Sequence, residues 1–162
     1  MKRPAQWVGC ALTAVIAVIA LDRLCLEPFI ENLRIRELED STKNTLEVSN
    51  PIEVRIRARQ NLEMAESMRH RFGDDVAILM PLAANLRIVS RNQDAVDIYQ
   101  AAFAREQRPE ILRNLAEVEL TLGQRDAAIE HYVLAARFSP HVIPLIMDPS
   151  VAAIVRSRAK ID

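Results

Sequence analysis

The sequence predicts an all-α protein in which an N-terminal transmembrane helix precedes a short solenoid of paired helices with a C-terminal capping helix. Only three of the 162 residues are Gly and 4% are aromatic, while Ala, Leu, Arg and Glu are plentiful. That composition suits helices and suits sheets poorly. An uncharged apolar run lies near the N-terminus, and two later segments resemble each other at a fixed spacing. These observations predict the anchor and the paired helices.

Charge and length exclude several function classes. Lys and Arg total 21 and Asp and Glu total 22, giving a net charge of −1. No overall field therefore favours nucleic acid, and none is expected as a partner. Cys10 lies inside the apolar run, so a disulfide with Cys25 is not expected and no metal-ligand spacing exists. Both cysteines are interpreted as small apolar side chains, with a bridge between two copies through Cys25 left open.

The N-terminal run predicts a membrane anchor. Residues 7–21 carry no charge. A bilayer span takes about 20 residues, and residues 24–26 extend the apolar segment if the two charged residues before them reach the headgroups. The prediction is a signal anchor with its flanks over residues 1–28, which contacts the membrane through residues 5–26.

The residues around the run predict its orientation. Lys2 and Arg3 precede it, and basic flanks stay in the cytoplasm. The chain is then a single-pass inner-membrane protein whose C-terminal domain is periplasmic. The alternative is a signal peptide cleaved after Ala20, because small residues there suit cleavage, and the mature chain then begins at Leu21.

A juxtamembrane linker is predicted over residues 29–50. This stretch is polar and mixed in charge. Residues 34–38 are interpreted as a short helix and residues 41–49 as connector. The linker therefore separates the anchor from the helical domain.

The helical domain is predicted over residues 51–162. Asn50 before Pro51 is a favourable helix start, with proline at the first helical position. Apolar residues follow at helical spacing until Gly73. A first long helix is therefore expected between these signals.

Beyond this helix the chain repeats itself at an offset of 33 positions. Six residues take part: Ala95, Tyr99, Ala102, Leu79, Leu82 and Ala83 recur as Ala128, Tyr132, Ala135, Leu112, Leu115 and Ala116. The small residues let two helices approach closely, and the tyrosines fill the space against the next helix. Such units bury their apolar faces only by stacking on neighbours.

This pattern resembles the tetratricopeptide repeat (TPR), a helix-turn-helix unit of 34 residues. The resemblance implies repeats near residues 76–109 and 109–142, a degenerate repeat in the preceding helix, and a capping helix over residues 143–160. It also assigns repeat packing to a set of mostly small or aromatic residues. They are Leu82, Ala83, Ala95, Tyr99, Ala102, Leu115, Ala116, Gly123, Ala128, Tyr132, Ala135 and Pro140.

The first repeat departs from the family pattern at three positions. Ser90 stands where the turn glycine is expected, and Gln107 replaces the closing proline. Pro81 falls inside the first helix, where it removes a hydrogen bond and is expected to kink or restart that helix.

The resemblance further implies a concave partner-binding groove lined by the first helix of each repeat. Its positions here are Met80, Ala84, Arg87, Ile88, Glu110, Arg113, Glu117 and Leu120, flanked by Ala77 and Thr121. The alternative is that Arg87, Arg113 and Glu117 are simply solvated charges.

No pattern in the sequence indicates catalysis. His70, His131 and His141 lack metal-ligand spacing, and no glycine-rich phosphate loop or nucleophile elbow occurs. Asp74 and Asp75 precede a helix and are interpreted as a cap with favourable dipole charge. The expectation is a protein that is not an enzyme and needs no cofactor, metal or small-molecule substrate.

The predicted function is that of a membrane-anchored protein–protein interaction scaffold for a cell-envelope assembly. Residues 135–140 are similar to the ends of TPR units attached to bacterial polysaccharide-assembly proteins, which points to polysaccharide or secretion machinery. One alternative is an accessory subunit held in a larger membrane complex, since Gly9, Ala14 and Ala17 allow close helix packing. The other is a soluble periplasmic TPR protein released by signal cleavage.

Overall fold

The computed structural model describes residues 17, 19–20, 24 and 26–161. Every regular element among these residues is helical, which confirms the all-α class. The chain divides into two compact units, Met1–Glu37 and Leu38–Asp162. Among the described residues, no helix has both the length and the apolar character that crossing a bilayer requires. Most of the run at residues 7–21 lies outside them, so the anchor stays a prediction.

Helix α1 runs over Glu27–Glu47, and the expectation of a connector there is wrong. Residues 41–47 are helical because their polar side chains have partners. Thr45 Oγ1 donates to the Ser41 carbonyl oxygen at 2.7 Å, one turn back. Thr42 and Thr45 are also buried, together with Leu38. Only residues 48–50 form a non-helical connection to the next helix.

Helix α2 runs over Pro51–Phe72, between the start and stop signals expected from the sequence. The Asn50 side chain accepts hydrogen bonds from the backbone N–H groups of Ile52 and Glu53, which caps the helix as such residues commonly do. Gly73 ends the helix with φ of 87°, a conformation that glycine adopts without steric cost.

Four helices follow as two pairs, and every helix boundary in the second pair lies 33 residues after its counterpart in the first. The bounds are Val76–Ile88 for α3, Asn92–Arg105 for α4, Pro109–Thr121 for α5 and Arg125–Phe138 for α6. The turns match as well, because Ser90 has φ of 65° and Gly123 has φ of 76°. The offset seen in the sequence is therefore also an offset in backbone conformation.

Pro81 does not interrupt α3, so the expected restart is absent. The helix continues from Val76 to Ile88 through this residue. Proline lacks one N–H and so removes one backbone hydrogen bond. The Pro81 carbonyl oxygen accepts from Asn85 Nδ2 at 2.8 Å, and the Pro81 ring is buried. Burial of the ring and this bond one turn further on accompany the continuous helix.

The stack ends in an apolar cluster. A 3₁₀ segment over Pro140–Leu145 reverses the chain, and helix α7 follows over Pro149–Ala159. The helix predicted over residues 143–160 is thus divided into these two elements. Five apolar residues from this region join the core of α5 and α6: Val142, Ile143, Ile146, Val151 and Val155.

Candidate functional site

A cleft opens along one face of the second unit where α3 and α5 lie side by side. Its volume is about 430 Å³. Its lining residues come from α3, the α3–α4 turn, α4, α5, α6 and the connection before α7. They are Arg87, Ser90, Asn92, Glu117, Leu120, Thr121, Tyr132, Met147 and Asp148. This set is called the α3–α5 cleft below.

An ion pair joins the two helices across the cleft. Arg87 Nη1 donates to Glu117 Oε2 at 2.6 Å. Arg113 Nε lies 3.8 Å from the other Glu117 oxygen, one turn along α5. Both side chains of the Arg87–Glu117 pair are about one-third exposed, so the pair contributes on the order of 0–1 kcal/mol to stability. Its main consequence is positional, because it fixes the charged heads at the cleft wall.

Two tyrosines lie behind these charges. Tyr99 and Tyr132 are each 1% exposed. Burial raises the pKa of both phenols to about 12, with the charges of Arg87 and Glu117 as smaller influences. Both hydroxyls therefore stay protonated at physiological pH. Tyr132 lines the cleft and so presents a neutral polar group beside the ion pair.

Met147 forms an apolar rim on the cleft. Its side chain is 93% exposed, although it lies between two ordered elements. The next residue, Asp148, caps α7 by accepting from the backbone N–H groups of Ser150 and Val151. The Ser150 hydroxyl also donates to Asp148, and this bond is the largest cause that lowers the pKa of Asp148 to about 2. Met147 is thus exposed at a rigid position.

The predicted groove residues divide into two groups. Arg87, Glu117 and Leu120 line the α3–α5 cleft. The other five lie on the same two helices but do not line it. Of these, Met80, Ala84, Ile88 and Arg113 are half-buried and Glu110 is exposed.

The residues assigned to repeat packing are nearly all inside the protein. Ten of the twelve are buried: Leu82, Ala83, Ala95, Tyr99, Ala102, Leu115, Ala116, Ala128, Tyr132 and Ala135. Gly123 and Pro140 are exposed, in the α5–α6 turn and at the start of the 3₁₀ segment.

Sequence reasoning missed part of the cleft. Met147 and Asp148 line it because the 3₁₀ segment brings the chain back toward α5, and no sequence pattern signals that reversal. Ser90 and Asn92 were considered only as turn residues. The signal at Ser90 is its replacement of a turn glycine, which marks a turn that opens toward the cleft.

A second, smaller cavity of about 230 Å³ lies among α2, α3 and α4. Leu82, Leu86 and Ile98 contribute its apolar lining, and Glu66, Arg69, Arg91, Asp94 and Asp97 its charged lining. Arg69 also donates to Asp74, and this hydrogen bond is the largest cause that lowers the pKa of Asp74. The charges beside this cavity are largely occupied with one another.

His131 pairs with a buried carboxylate. Its Nδ1 lies 2.8 Å from Glu119 Oε2, and Glu119 is almost fully buried on α5. The contact joins α5 to α6 away from the residues that line the cleft. Across the described residues, no three His, Cys, Asp or Glu side chains come together as metal ligands.

No protein-family model matches the chain, and no curated protein matches it significantly. Function is therefore inferred from the geometry of the cleft and from the sequence pattern.

Proposed function

We propose that the chain is a protein–protein interaction scaffold built from TPR-like repeats, attached to the inner membrane by its N-terminal segment and exposed in the periplasm. The observation that carries the proposal is the α3–α5 cleft. Two helix pairs of equal length and equal turn geometry set their first helices side by side and leave about 430 Å³ between them. Repeats of this kind offer such a surface to partners.

The chemistry of the cleft suits a protein segment as the partner. Its wall carries an ion pair between Arg87 and Glu117, and its rim carries Leu120 and the exposed Met147. Methionine adapts its shape to apolar partners and is frequent at binding surfaces. A partner that places one apolar side chain against Met147 and polar groups against the ion pair would use both features.

The envelope setting comes from the sequence. Residues 7–21 are uncharged and follow Lys2 and Arg3, which favours a cytoplasmic N-terminus. A partner would then belong to a periplasmic or membrane assembly, such as polysaccharide or secretion machinery.

The test is co-purification of the full chain from detergent-solubilised native membranes, with mass spectrometry of the bound proteins. The cleft variant is Met147→Glu, because a 93% exposed side chain has no packing to lose. The matched control is Ile52→Glu, which changes an equally apolar, 71% exposed residue on α2 outside the cleft. We expect a stoichiometric partner with the wild type and the control, and roughly tenfold weaker binding with Met147→Glu, equal to about 1.4 kcal/mol.

A charge test separates recognition from structure. Arg87→Glu places two carboxylates together, whereas Arg87→Glu combined with Glu117→Arg restores an ion pair in reverse. If the partner reads the charges, both variants lose it. Binding that survives the reversed pair would show that the pair only braces the cleft. Arg55→Glu with Arg59→Glu, on the exposed face of α2, controls for net charge.

Two outcomes would sink the proposal in favour of its rivals. Loss of the partner on Ala14→Leu with Ala17→Leu, but not on Met147→Glu, would indicate an accessory subunit held through its membrane helix. Recovery of a soluble chain beginning at Leu21, without a partner, would indicate a released periplasmic protein.

A further inference from the structure

The first part of α1, which lies in the first unit, carries an exposed apolar stripe. Its members are Leu26, directly before the helix, and Phe29, Ile30 and Leu33 within it. Each is between 39% and 60% exposed. Their spacing of three, four and seven residues places them on one helix face. This set is called the α1 stripe.

The α1 stripe does not belong to the core of the domain. No residue from Glu27 to Glu37 is buried. At 100° per residue, the stripe lies roughly 140° around the helix from the buried residues Leu38, Thr42 and Thr45. Over its whole length α1 is only weakly amphipathic, because the stripe ends at Leu33 and Glu37 and Asp40 continue the same face. The apolar surface is therefore confined to the end of α1 nearest the N-terminus.

The area of the stripe argues against a second copy of the chain as its cover. A specific interface buries about 800 Å² on each partner, whereas four half-exposed apolar side chains offer roughly half of that. The charged residues Glu37 and Asp40 also stop the stripe from extending toward the C-terminal end of the helix.

The preceding sequence indicates a lipid surface instead. The uncharged run at residues 7–21 ends five residues before Leu26. A helix with one apolar side and low overall hydrophobicity lies in the plane of a membrane with that side buried about 5–10 Å deep. Residues 27–37 contain Glu27, Glu31 and Glu37 against Arg34 and Arg36, so this face has no positive excess to seek anionic lipid.

We propose that the α1 stripe lies in the boundary between headgroups and acyl chains of a bilayer, and that zwitterionic lipid suffices for this contact. The proposal rests on the membrane attachment proposed above. It adds that the membrane contact continues past the anchor as far as Leu33.

The test uses the full chain in phosphatidylcholine vesicles, with Cys10 and Cys25 replaced by Ser. Single cysteines at Phe29 and Leu33 carry a fluorescent label, and brominated lipid serves as the quencher. The matched control is Asn32→Cys, an exposed position in the same turn on another face. We expect quenching at positions 29 and 33 to exceed that at position 32 on the order of twofold, with no dependence on anionic lipid.

Three results would overturn the proposal. Equal quenching at all three positions in a chain that resists carbonate extraction would leave the anchor standing and exclude the stripe. Disulfide formation between copies at position 29, without lipid quenching, would assign the stripe to a second copy. A chain recovered without its anchor would be added to vesicles, where failure to float with them, or floating unchanged by Phe29→Ser with Leu33→Ser, would exclude lipid contact.

Discussion

The two ends of the helical stack are closed by opposite chemistry. At the N-terminal end, Thr42 and Thr45 of α1 meet Asn61 of α2 and Asn85 of α3 through hydrogen bonds in the protein interior. At the C-terminal end, apolar side chains from the 3₁₀ segment and α7 cover the core of α5 and α6. One end is matched group by group, whereas the other end excludes water by area.

The polar end is fully satisfied. Asn85 Nδ2 donates to Thr42 Oγ1 at 2.8 Å, and its Oδ1 accepts from Asn61 Nδ2 at 3.3 Å. Asn61 Nδ2 also donates to Thr45 Oγ1 at 3.2 Å, and Ser41 Oγ donates to Asn61 Oδ1 at 2.7 Å. No buried side-chain nitrogen or oxygen among the described residues lacks a partner. Directional bonds accept one rotation of α1, so this end specifies position more than it adds stability.

The largest expected effect comes from the apolar end. Ile143→Ala removes a side chain that is 4% exposed in the terminal cluster. Loss of buried apolar surface and the resulting cavity should cost about 2–4 kcal/mol in the free energy of unfolding. Urea unfolding measures it. The control Leu145→Ala, from the same 3₁₀ segment but exposed, should cost less than about 0.5 kcal/mol. Similar losses for the two variants would contradict the apolar closure.

At the polar end, Asn85→Ala should cost about 1–3 kcal/mol, because three groups lose their partner in a buried setting. Hydrogen exchange should locate the effect in residues 38–47 of α1, while α7 keeps its protection. The exposed Asn44→Ala serves as control. A uniform loss of protection along the chain would show that the network is not local to this end.

A companion variant separates stability from specificity. Thr42→Val, Asn61→Leu and Asn85→Leu together remove both sides of the bonds, which is often close to neutral in free energy. We expect near-wild-type unfolding but weaker amide protection in residues 38–47, since α1 loses the bonds that select one rotation. Full protection in this variant would mean that apolar contact alone positions the helix.

A smaller effect is expected between the ends, at the two equivalent turns. Ser90 and Gly123 both have positive φ, a conformation that costs an L-residue strain. Ser90→Gly should stabilise the protein by about 0.5–1 kcal/mol, and Gly123→Ser should destabilise it by a similar amount. A Cβ at Gly123 meets no atom within 4 Å, so strain alone sets the second value. Thermal unfolding of both variants tests the sign, and equal signs would refute the equivalence.

The smallest effect concerns acid. The hydrogen bond from the Ser150 hydroxyl, with others, holds the pKa of Asp148 at about 2, below the ordinary 3.8. A lowered native pKa contributes stability above pH 4 that is lost as the pH falls toward 2. The polar network contains only Ser, Thr and Asn and does not titrate. Asp148→Asn keeps a cap but not the titration, so its melting temperature should fall less between pH 4 and pH 2 than that of the wild type. An identical fall would contradict this assignment.

The sequence predicted the repeated part of this fold well, for a physical reason. Repeated small residues and tyrosines impose the same packing twice, so a 33-residue offset in letters becomes the same offset in helix bounds. The departure at Ser90 marked a turn where the backbone is strained. Local signals such as Asn50 and Gly73 gave the ends of α2, because caps are contacts within a few residues.

The errors and omissions involve contacts between distant residues. Residues 41–47 look like connector because Ser, Thr and Asn favour turns when they lack partners. Here Thr42 finds Asn85, which lies 43 residues away. Met147 likewise reaches the cleft only after the 3₁₀ segment reverses the chain. Neither partner is visible from neighbouring residues.

The equality of the two helix pairs has a consequence for how this protein can grow. Because every boundary of α5 and α6 repeats that of α3 and α4 after 33 residues, a unit of that length can be duplicated without altering either terminus. The hydrogen-bonded end and the apolar end would then act as interchangeable caps on a longer array. Each added unit would lengthen the cleft by one step, so binding length becomes a quantity that gene duplication or a designer can count.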